Sequence, residues 1–535
     1  MSRLPISITE FGQLLNACRP PNGWGNLLAV AHSGGADSTC LLYLLYRWVS
    51  QQNHDGQESP SRILSLSVDH SLQSGSSKTV EQCRDFCEKL QIPFQNLRVP
   101  WSHSPFPDRP KVEGPLEGVA RMVRYRVLFE AMKKNHAAVI AMGHHADDNV
   151  ETLLMRLVRR QTSAYPMGMR RCRRWGMGSQ SEGLGWTGAT GMNHWVVRPL
   201  LSVPKERILA TCELHNLHYI DDPTNFQPLL THRNFVRHCL STRPTNQTTA
   251  KGVSETTRSV DEVKLAISRL GAIANKYSGL TATITLNEKL YVAADHLSCL
   301  QDRIDKQVTQ YLVTFTRPSP PSTLLLLTHG LNPAAELQRA LVLRILRFVS
   351  PKPWGAPDSE ALRRTSSLSH ISSRLWNSTL DSRSSFSAGS EVLWTPVFLK
   401  ADGRIRLTHN GDAPPERQGW MASRQPPIKQ RGSSPCELNI SKLLSAGETE
   451  KEFLWDNRFL ITLKPSLISD EVLDSCGSIG SVLVLPYSRW FLPKIIWSRP
   501  KQKDVILGEV QLDSQHTSLR QSLAKFRQIR TLDAV

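Results

Sequence analysis

The sequence predicts an α/β fold for its first 240 residues, a parallel sheet with helices on both faces, followed by a helical domain and a divergent, β-containing tail. Three observations carry this prediction. Strand-length apolar runs alternate with helical patterns through the first half, the signature of a parallel sheet. The first such run, Leu27-Leu28-Ala29-Val30-Ala31, feeds a Ser-Gly-Gly loop that opens directly into the helical pattern Thr39-Cys40-Leu41-Leu42-Tyr43-Leu44-Leu45. Polar residues suited to chemistry fall where strands end, at Ser33, Asp69 and His144. Open sheets of this kind bind ligands beyond the carboxyl ends of their strands.

In chain order, Ile8 to Ala17 forms a short amphipathic pattern. With Arg3, Arg19 and a single Glu10 it fits a mitochondrial presequence, and it fits a leading helix of the domain equally well. After the first strand and helix, Ile63–Val68 reads as a second strand ending at Asp69-His70, and Ser77 caps a helix to about Leu90. Pro93–Val99 is a third strand, and a Pro-rich linker spans Trp101–Pro115. The helix Leu116–Lys134, the strand Ala137–Met142, the turn Gly143-His144-His145 and the helix Asp147–Arg160 complete the unit. Residues 161–194 read as an insertion in which Arg170, Arg171, Arg173 and Arg174 cluster, either an arginine-rich nucleic-acid contact or, the reading preferred, a mobile, solvated loop. Order returns at Val196–Leu201, with a helix beginning near Val203-Pro204, where proline suits the first turn.

The domain plan is therefore a catalytic unit over 1–241 and a threonine-rich linker over 242–262. A helical domain follows over 263–350, with segments His296–Thr314 and Ala334–Ser350. Residues 351–391 are Ser/Arg-rich and read as loosely ordered, and 392–535 as a small β-containing domain with alternating runs at Phe453–Leu463 and Val482–Trp497. Pro414–Pro435 reads as a further linker inside it.

Composition narrows the function. The 535 residues carry 65 Lys and Arg against 47 Asp and Glu, a net charge of +18 that favours a polyanionic partner such as nucleic acid. Ten cysteines without the density of a secreted framework read as reduced thiols of an intracellular protein, mitochondrial or cytoplasmic. Cys83 and Cys87 stand four apart on a helix, a core-packing spacing. No apolar run reaches the length of a membrane span, so no membrane partner is expected.

The first loop is an anion site by construction. Its backbone N–H groups converge, the following helix adds positive charge at its N-terminus, and Gly34 and Gly35 permit close approach. Ser33 and Ser38 offer hydroxyl donors, and Asp37 can hold a metal ion or cap the helix. A Walker A loop needs a Lys followed by Ser or Thr after the second glycine, which is absent. The run Ser33-Gly34-Gly35-Ala36-Asp37-Ser38 instead resembles the SGGxDS loop of N-type ATP pyrophosphatases, which cleave ATP between the α- and β-phosphates.

Further motifs make the resemblance specific. Val68-Asp69-His70, Ala120-Arg121-Met122-Val123-Arg124-Tyr125 and Gly143-His144-His145-Ala146-Asp147-Asp148-Asn149-Val150-Glu151-Thr152 follow one another as in tRNA(Ile)-lysidine synthetases. Arg198-Pro199-Leu200-Leu201, Asp222-Pro223-Thr224-Asn225 and Arg233-Asn234 continue the series, so the resemblance covers roughly residues 10–240. It implies a Rossmann-like, adenine nucleotide α-hydrolase-like sheet that uses ATP and Mg²⁺ to adenylate the wobble cytidine of an isoleucine tRNA with a CAU anticodon. Free lysine then attacks through its ε-amine, giving lysidine and AMP.

The residue chemistry fits the implied reaction. A cytosine carbonyl oxygen leaves poorly and AMP leaves well, so adenylation precedes substitution. Asp148 and Glu151, three apart on a helix, share a face and suit a lysine ammonium, and one could accept its proton. Asp147 reads as the helix cap, although adjacent carboxylates could trade roles. By resemblance, His144, Arg121 and Asp37 join them as catalytic residues, with Ser33 to Ser38, Asp69 and His70 binding the nucleotide and Asp37 the metal. Arg124, Tyr125, Arg198, Asp222, Asn225, Arg233, Asn234 and Arg237 are the expected substrate contacts.

Departures from the family pattern are Ser71-Leu72-Gln73-Ser74 after Val-Asp-His, where a Gly and an Arg are usual, and Asn149 in place of Gln. A tRNA thiolase shares the loop, but those acting on cytidine carry Cys-x-x-Cys pairs for an iron–sulfur cluster, and this chain has none. A degenerate tRNA-binding protein on the same fold is the non-enzyme alternative, and the intact loop and carboxylates argue against it.

Overall fold

The computed structural model describes residues 4–51, 60–72, 76–110, 116–158, 167–178, 187–220, 232–241, 254–278, 285–328, 330–356, 359–360, 364–377, 384–399, 405–406, 417–426, 436–444, 450–476, 480–510 and 524–534. The first half is the expected alternation: α1 (Ile8–Asn16), β1 (Leu27–Ala31), α2 (Ala36–Gln51), β2 (Arg62–Asp69), α3 (Ser76–Lys89), β3 (Phe94–Arg98), α4 (Leu116–Lys134), β4 (Val139–Met142), α5 (Ala146–Val158), β5 (Cys172–Arg174), β6 (Trp195–Val197) and α6 (Lys205–Leu214). The strands form one sheet in the order β3-β2-β1-β4-β6-β5, parallel except that β5 runs antiparallel to β6 at the edge.

The central strand explains why this sheet reads as an unbroken apolar run. Successive side chains point to opposite faces, so Leu28 and Val30 enter one core with Phe11, Leu41 and Leu44. Ala29 enters the other, with Leu66, Met132 and Ile140. The N-terminal amphipathic pattern is accounted for by packing. Helix α1 buries Phe11 and Leu15 completely, and its Glu10 pairs with Arg207 of α6 at 2.7 Å. From β1 the chain crosses to β2 and β3 on one side, then to β4 and β6 on the other. The switch point therefore lies between β1 and β4, where a doubly wound sheet opens a crevice.

Three helices cover the outer face of α5: α7 (His232–Ser241), α8 (Ser254–Ser278) and α9 (Leu286–Phe315). Val150, Leu153 and Leu154 of α5 pack with Val236, Leu270, Leu290 and Leu297. Helix α9 starts with a reciprocal cap, in which the Thr285 hydroxyl accepts from the Glu288 amide and the Glu288 carboxylate accepts from the Thr285 amide. Helix α8 begins at Ser254, inside the stretch expected as linker.

Beyond α9 come β7 (Thr316–Arg317), β8 (Leu324–Leu327), α10 (Ala335–Val349), α11 (Thr365–Trp376), β9 (Phe386–Ser387), β10 (Val392–Leu399), β11 (Ile405–Arg406) and β12 (Arg417–Arg424). The sheet order is β11-β10-β12-β8-β7, with β9 on β10. Its inner face buries Trp394 and Trp420 against α10 and α11. Two expectations change here. Helix α11 occupies part of the stretch read as loose, 351–391. Strand β12, between β10 and β8, lies inside the Pro/Arg/Gln-rich segment read as a linker. Partners on both sides of β12 override a weak local signal.

The remaining chain forms β13 (Leu438–Asn439), β14 (Lys451–Trp455), β15 (Phe459–Leu463), α12 (Asp470–Ser475), β16 (Ser481–Tyr487), β17 (Leu492–Ser498), β18 (Val505–Glu509) and β19 (Ala524–Gln528). These make the sheets β13-β16-β17-β18 and β14-β15-β19 around a shared core that includes Ile461, Val482 and Ile495. The hairpins β14–β15 and β16–β17 coincide with the two expected alternating runs.

The described part of the 161–194 insertion is built into the fold. Arg170 pairs with Asp305 of α9 at 2.6 Å, and Arg171 reaches Asp295 at 3.4 Å. Arg174, 4% exposed at its side chain, stacks over Trp195 at 4.4 Å and pairs with Asp533 near the C-terminus at 2.8 Å. Of the cluster expected as a solvated run, Arg170, Arg171 and Arg174 are thus struts from the first sheet's edge to α9 and Asp533, while Arg173 turns back on the Arg174 and Trp175 carbonyls.

Candidate active site

The crevice at the switch point is built from three turns. After β1, Ser33 donates its amide to the Ser38 hydroxyl at 3.1 Å, and the two hydroxyl oxygens lie 3.2 Å apart. The Ser38 hydroxyl also contacts the Gly35 carbonyl at 3.1 Å, so the loop folds back on the start of α2. Gly34 sits at φ +81°, and a Cβ there would press on Cys83, Thr79 and Ile220 at 3.1–3.3 Å. After β4, Gly143 passes so close to α2 that a Cβ would stand 3.0–3.1 Å from the backbone of Asp37 and Ser38. Glycine at 143 is what lets the turn carrying His145 reach the loop.

His145 is buried at the centre of a carboxylate group. Its Nδ1 lies 3.2 Å from Asp147, and its Nε2 lies 3.5 Å from Asp148 and 3.7 Å from Asp37. Burial alone would lower its pKa, but Asp147, Asp148 and Asp37 outweigh burial and raise it above 6.5. Asp147 works in the opposite sense: burial pushes it up, while His145, the Tyr291 hydroxyl at 2.7 Å and the Lys205 amide at 3.0 Å bring it down to about 2. Asp148 accepts the His145 amide at 3.1 Å, which caps α5. The expected division is therefore reversed in one respect: Asp148 caps its own helix, and Asp147 caps the neighbouring α6.

Asp148 and Glu151 do share one face of α5, and both are buried, with Glu151 only 2% exposed. Arg237 of α7 spans them, with Nη2 3.3 Å from Glu151 and 3.5 Å from Asp148. A cation thus already sits on this pair. On the other side of the crevice, Lys205 at the first position of α6 extends its Nζ to 2.6 Å from Asp37.

A second group lies around Tyr125 of α4. Arg121 stacks over its ring at 5.1 Å and Arg173 of β5 at 5.8 Å. Burial pushes the phenol up, but Arg173, Arg121, Arg198 and Arg124 bring it down to about 7. Arg198, 4% exposed, donates to His144 Nδ1 at 3.3 Å and to the Arg170 carbonyl at 2.8 Å. Burial, with Arg173 beside it, lowers Arg198 to about 10. Four arginines around one acidified phenol make a strongly anion-seeking surface.

At the end of β2, Asp69 accepts the Ser71 amide at 2.7 Å. The buried Nδ1 of His70 has no hydrogen-bond partner among the described residues, and burial lowers this imidazole to about 4, leaving it neutral. Of the expected site residues, Ser33 to Ser38, Asp69, His70, Arg121, Arg124, Tyr125, His144, Asp148, Glu151, Arg198 and Arg237 all fall at the crevice end of the sheet or on helices that border it. Asp222 and Asn225 lie outside the described residues, and of Arg233 and Asn234 only the helical backbone is described.

Sequence reading missed His145, Lys205, Tyr291 and Arg173. Lys205 carried a usable signal, since a cation in the first turn of a helix opposes the macrodipole and needs a reason to be there. Arg173 carried the signal of the arginine cluster without its partner Tyr125, and Tyr291, from a distant helix, carried none.

The donor set suits a nucleotide phosphate. The Ser33 and Ser38 hydroxyls and the first amides of α2 belong to the loop, and the buried Nδ1 of His70 has no hydrogen-bond partner among the described residues. Among the described residues no cage of three or more metal ligands is present.

Comparison with known proteins agrees with this geometry. Residues 7–243 match the family described as "PP-loop domain". A tRNA(Ile)-lysidine synthase of a Bradyrhizobium species is 32% identical over 43% of this chain and 54% of its own length. One from Coxiella burnetii is 29% identical over 39% of each chain. A Schizosaccharomyces pombe protein named "Probable tRNA(Ile)-lysidine synthase" is 25% identical over 85% of this chain and 81% of its own. The two bacterial matches thus span about half of those relatives or less. No helix among the described residues is long and apolar enough to cross a membrane.

Proposed function

We propose that this chain, whose residues 7–243 carry a PP-loop domain, acts as a tRNA(Ile)-lysidine synthetase. It uses ATP to adenylate O2 of the wobble cytidine in an isoleucine tRNA with a CAU anticodon. It then joins free lysine through the ε-amine and releases AMP and pyrophosphate. The observation that carries the reading is the meeting of a loop without its own lysine and a buried acidic helix face at one switch point.

Residue roles follow from position. Ser33, Gly34, Gly35, Ala36 and Ser38 receive the β- and γ-phosphates, with Asp69 and His70 toward the nucleoside. Asp37 would hold Mg²⁺, which supplies charge neutralisation for the departing pyrophosphate when bound. Arg121, Arg124, Tyr125, His144 and Arg198 face the anionic RNA and the activated base. Asp148 and Glu151 hold the lysine ammonium where Arg237 now marks a cation position, and a carboxylate there takes its proton before attack. The relatives named as lysidine synthases support the choice of nucleophile. The +18 charge supports an RNA substrate. The absence of Cys-x-x-Cys in the sequence disfavours the thiolase alternative, since Cys83 and Cys87 are buried core residues. The test is incorporation of radiolabelled lysine into transcripts with CAU or UAU anticodons, expected for the first alone. Equal labelling of both, or of neither, contradicts it.

A further inference from the structure

An ATP-cleaving loop that lacks a lysine must neutralise its polyphosphate by other means, and the fold brings a lysine to it from 168 residues away. We propose that Lys205 is the phosphate-gripping cation of this loop, its Nζ passing from Asp37 to a phosphate oxygen when ATP or pyrophosphate is bound. The inference rests on the proposed reading of the loop as a pyrophosphate seat.

Three features place the side chain. Lys205 begins α6 at a position where the helix dipole disfavours a cation, so its charge is there against local preference. Two bonds fix the backbone at this spot: the Ala146 amide to the Val203 carbonyl at 2.9 Å and the Lys205 amide to Asp147 at 3.0 Å. Helix α6 also buries Ile208 and Cys212 in the same core as Cys40 and Leu44 of α2, so lysine and loop move as one body. Both ends of the Lys205–Asp37 pair keep about a third of their side-chain surface open, at 34% and 29%, so a phosphate can reach them.

The charge balance supports the hand-over. Lys205 stands 2.6 Å from Asp37, whereas Arg237 stands on Asp148 and Glu151. A polyphosphate arriving beside Asp37 meets Lys205 first, since Arg237 is held by Asp148 and Glu151. Lys205 is a compact charge on a flexible stem and can follow the phosphate without disturbing α6.

The test uses the full-length protein with inorganic pyrophosphate and Mg²⁺. Binding is read by calorimetry, and acetylation of Lys205 by an amine-reactive reagent is read by mass spectrometry. Pyrophosphate is expected to shield Lys205 from acetylation, and Lys205→Met to weaken pyrophosphate binding about 10- to 100-fold, the worth of one charged hydrogen bond. Lys205→Arg keeps most of the binding. Unchanged binding by Lys205→Met, or acetylation of Lys205 at the same rate with and without pyrophosphate, overturns the proposal. A wild-type protein that binds pyrophosphate through Lys205 but never incorporates lysine would refute the proposed reaction while leaving this assignment intact.

Discussion

Replacing Asp147 by asparagine keeps the shape of the side chain and removes its charge. In the wild type that charge joins three elements: His145 at the start of α5, the first amide of α6 and the Tyr291 hydroxyl of α9. Lowering its pKa from 3.8 to about 2 corresponds to roughly 2 kcal/mol of native-state preference for the carboxylate. A third of the side chain is exposed, so screening reduces this to about 1–2 kcal/mol. Local opening of α6 and the first half of α9 should therefore rise about 5- to 30-fold. Hydrogen exchange read by mass spectrometry on peptides from α6 and α9 measures this, with β16–β17 as an internal reference. The effect also has a pH signature. Asp147's contribution is present above pH 3.8 and is lost as pH falls through about 2. His145, raised above 6.5, contributes fully below 6.5 and loses its charge as pH rises through its raised value. The gap between wild type and Asp147→Asn should be wide from about pH 4 upward and narrow only as pH rises through the raised His145 value. Equal protection in both proteins, or a uniform loss that includes β16–β17, would refute the clamp.

Asp37→Asn should lower adenylation at least about 100-fold, seen as loss of ATP-dependent AMP formation. Glu151→Gln should hold adenylation within a few-fold and cut lysine transfer about 100-fold; equal loss of both half-reactions in a folded protein contradicts the division of roles. Asp305→Asn strips the anion from Arg344, which is 1% exposed and 2.9 Å away, and should destabilise the α9–α10 packing by about 3–5 kcal/mol, measured as a lowered thermal midpoint. Arg174→Met removes the guanidinium from over Trp195 and releases Asp533, and should make the C-terminal residues more accessible to carboxypeptidase, while pyrophosphate binding stays unchanged.

The catalytic sheet was legible because its strands are buried on both faces, so Leu27–Ala31 and Ala137–Met142 carry uninterrupted apolar runs bounded by glycine. The loop was legible because its glycines and serines are contiguous in sequence. What escaped depends on contacts between distant segments. Strand β12 looks like a linker until Gly419 and Trp420 are set between β8 and β10, where a Cβ at 419 would meet the Leu326 carbonyl oxygen at 2.3 Å. Arg170, Arg171 and Arg174 of the insertion look like a solvated run until Asp305, Asp295 and Asp533 arrive from elsewhere. The boundary at 241 divides what packing unites: a chain cut near residue 255 would strip α8 and α9 from Val150, Leu153 and Leu154 and would bare the helix that carries Asp148 and Glu151. Helix α5 explains both outcomes, since its acidic face is written locally and its apolar face has meaning only once the later helices are in place.

The central claim is tested most directly by following RNA and nucleotide together. The full-length protein is incubated with ATP, Mg²⁺, labelled lysine and a CAU-anticodon isoleucine tRNA, and the RNA is digested to nucleosides for mass spectrometry. The account predicts that one cytidine per tRNA, at the wobble position, gains lysine with loss of water, matched by equal amounts of AMP and pyrophosphate. Formation of ADP and phosphate, or AMP and pyrophosphate without any change in that cytidine, would contradict it.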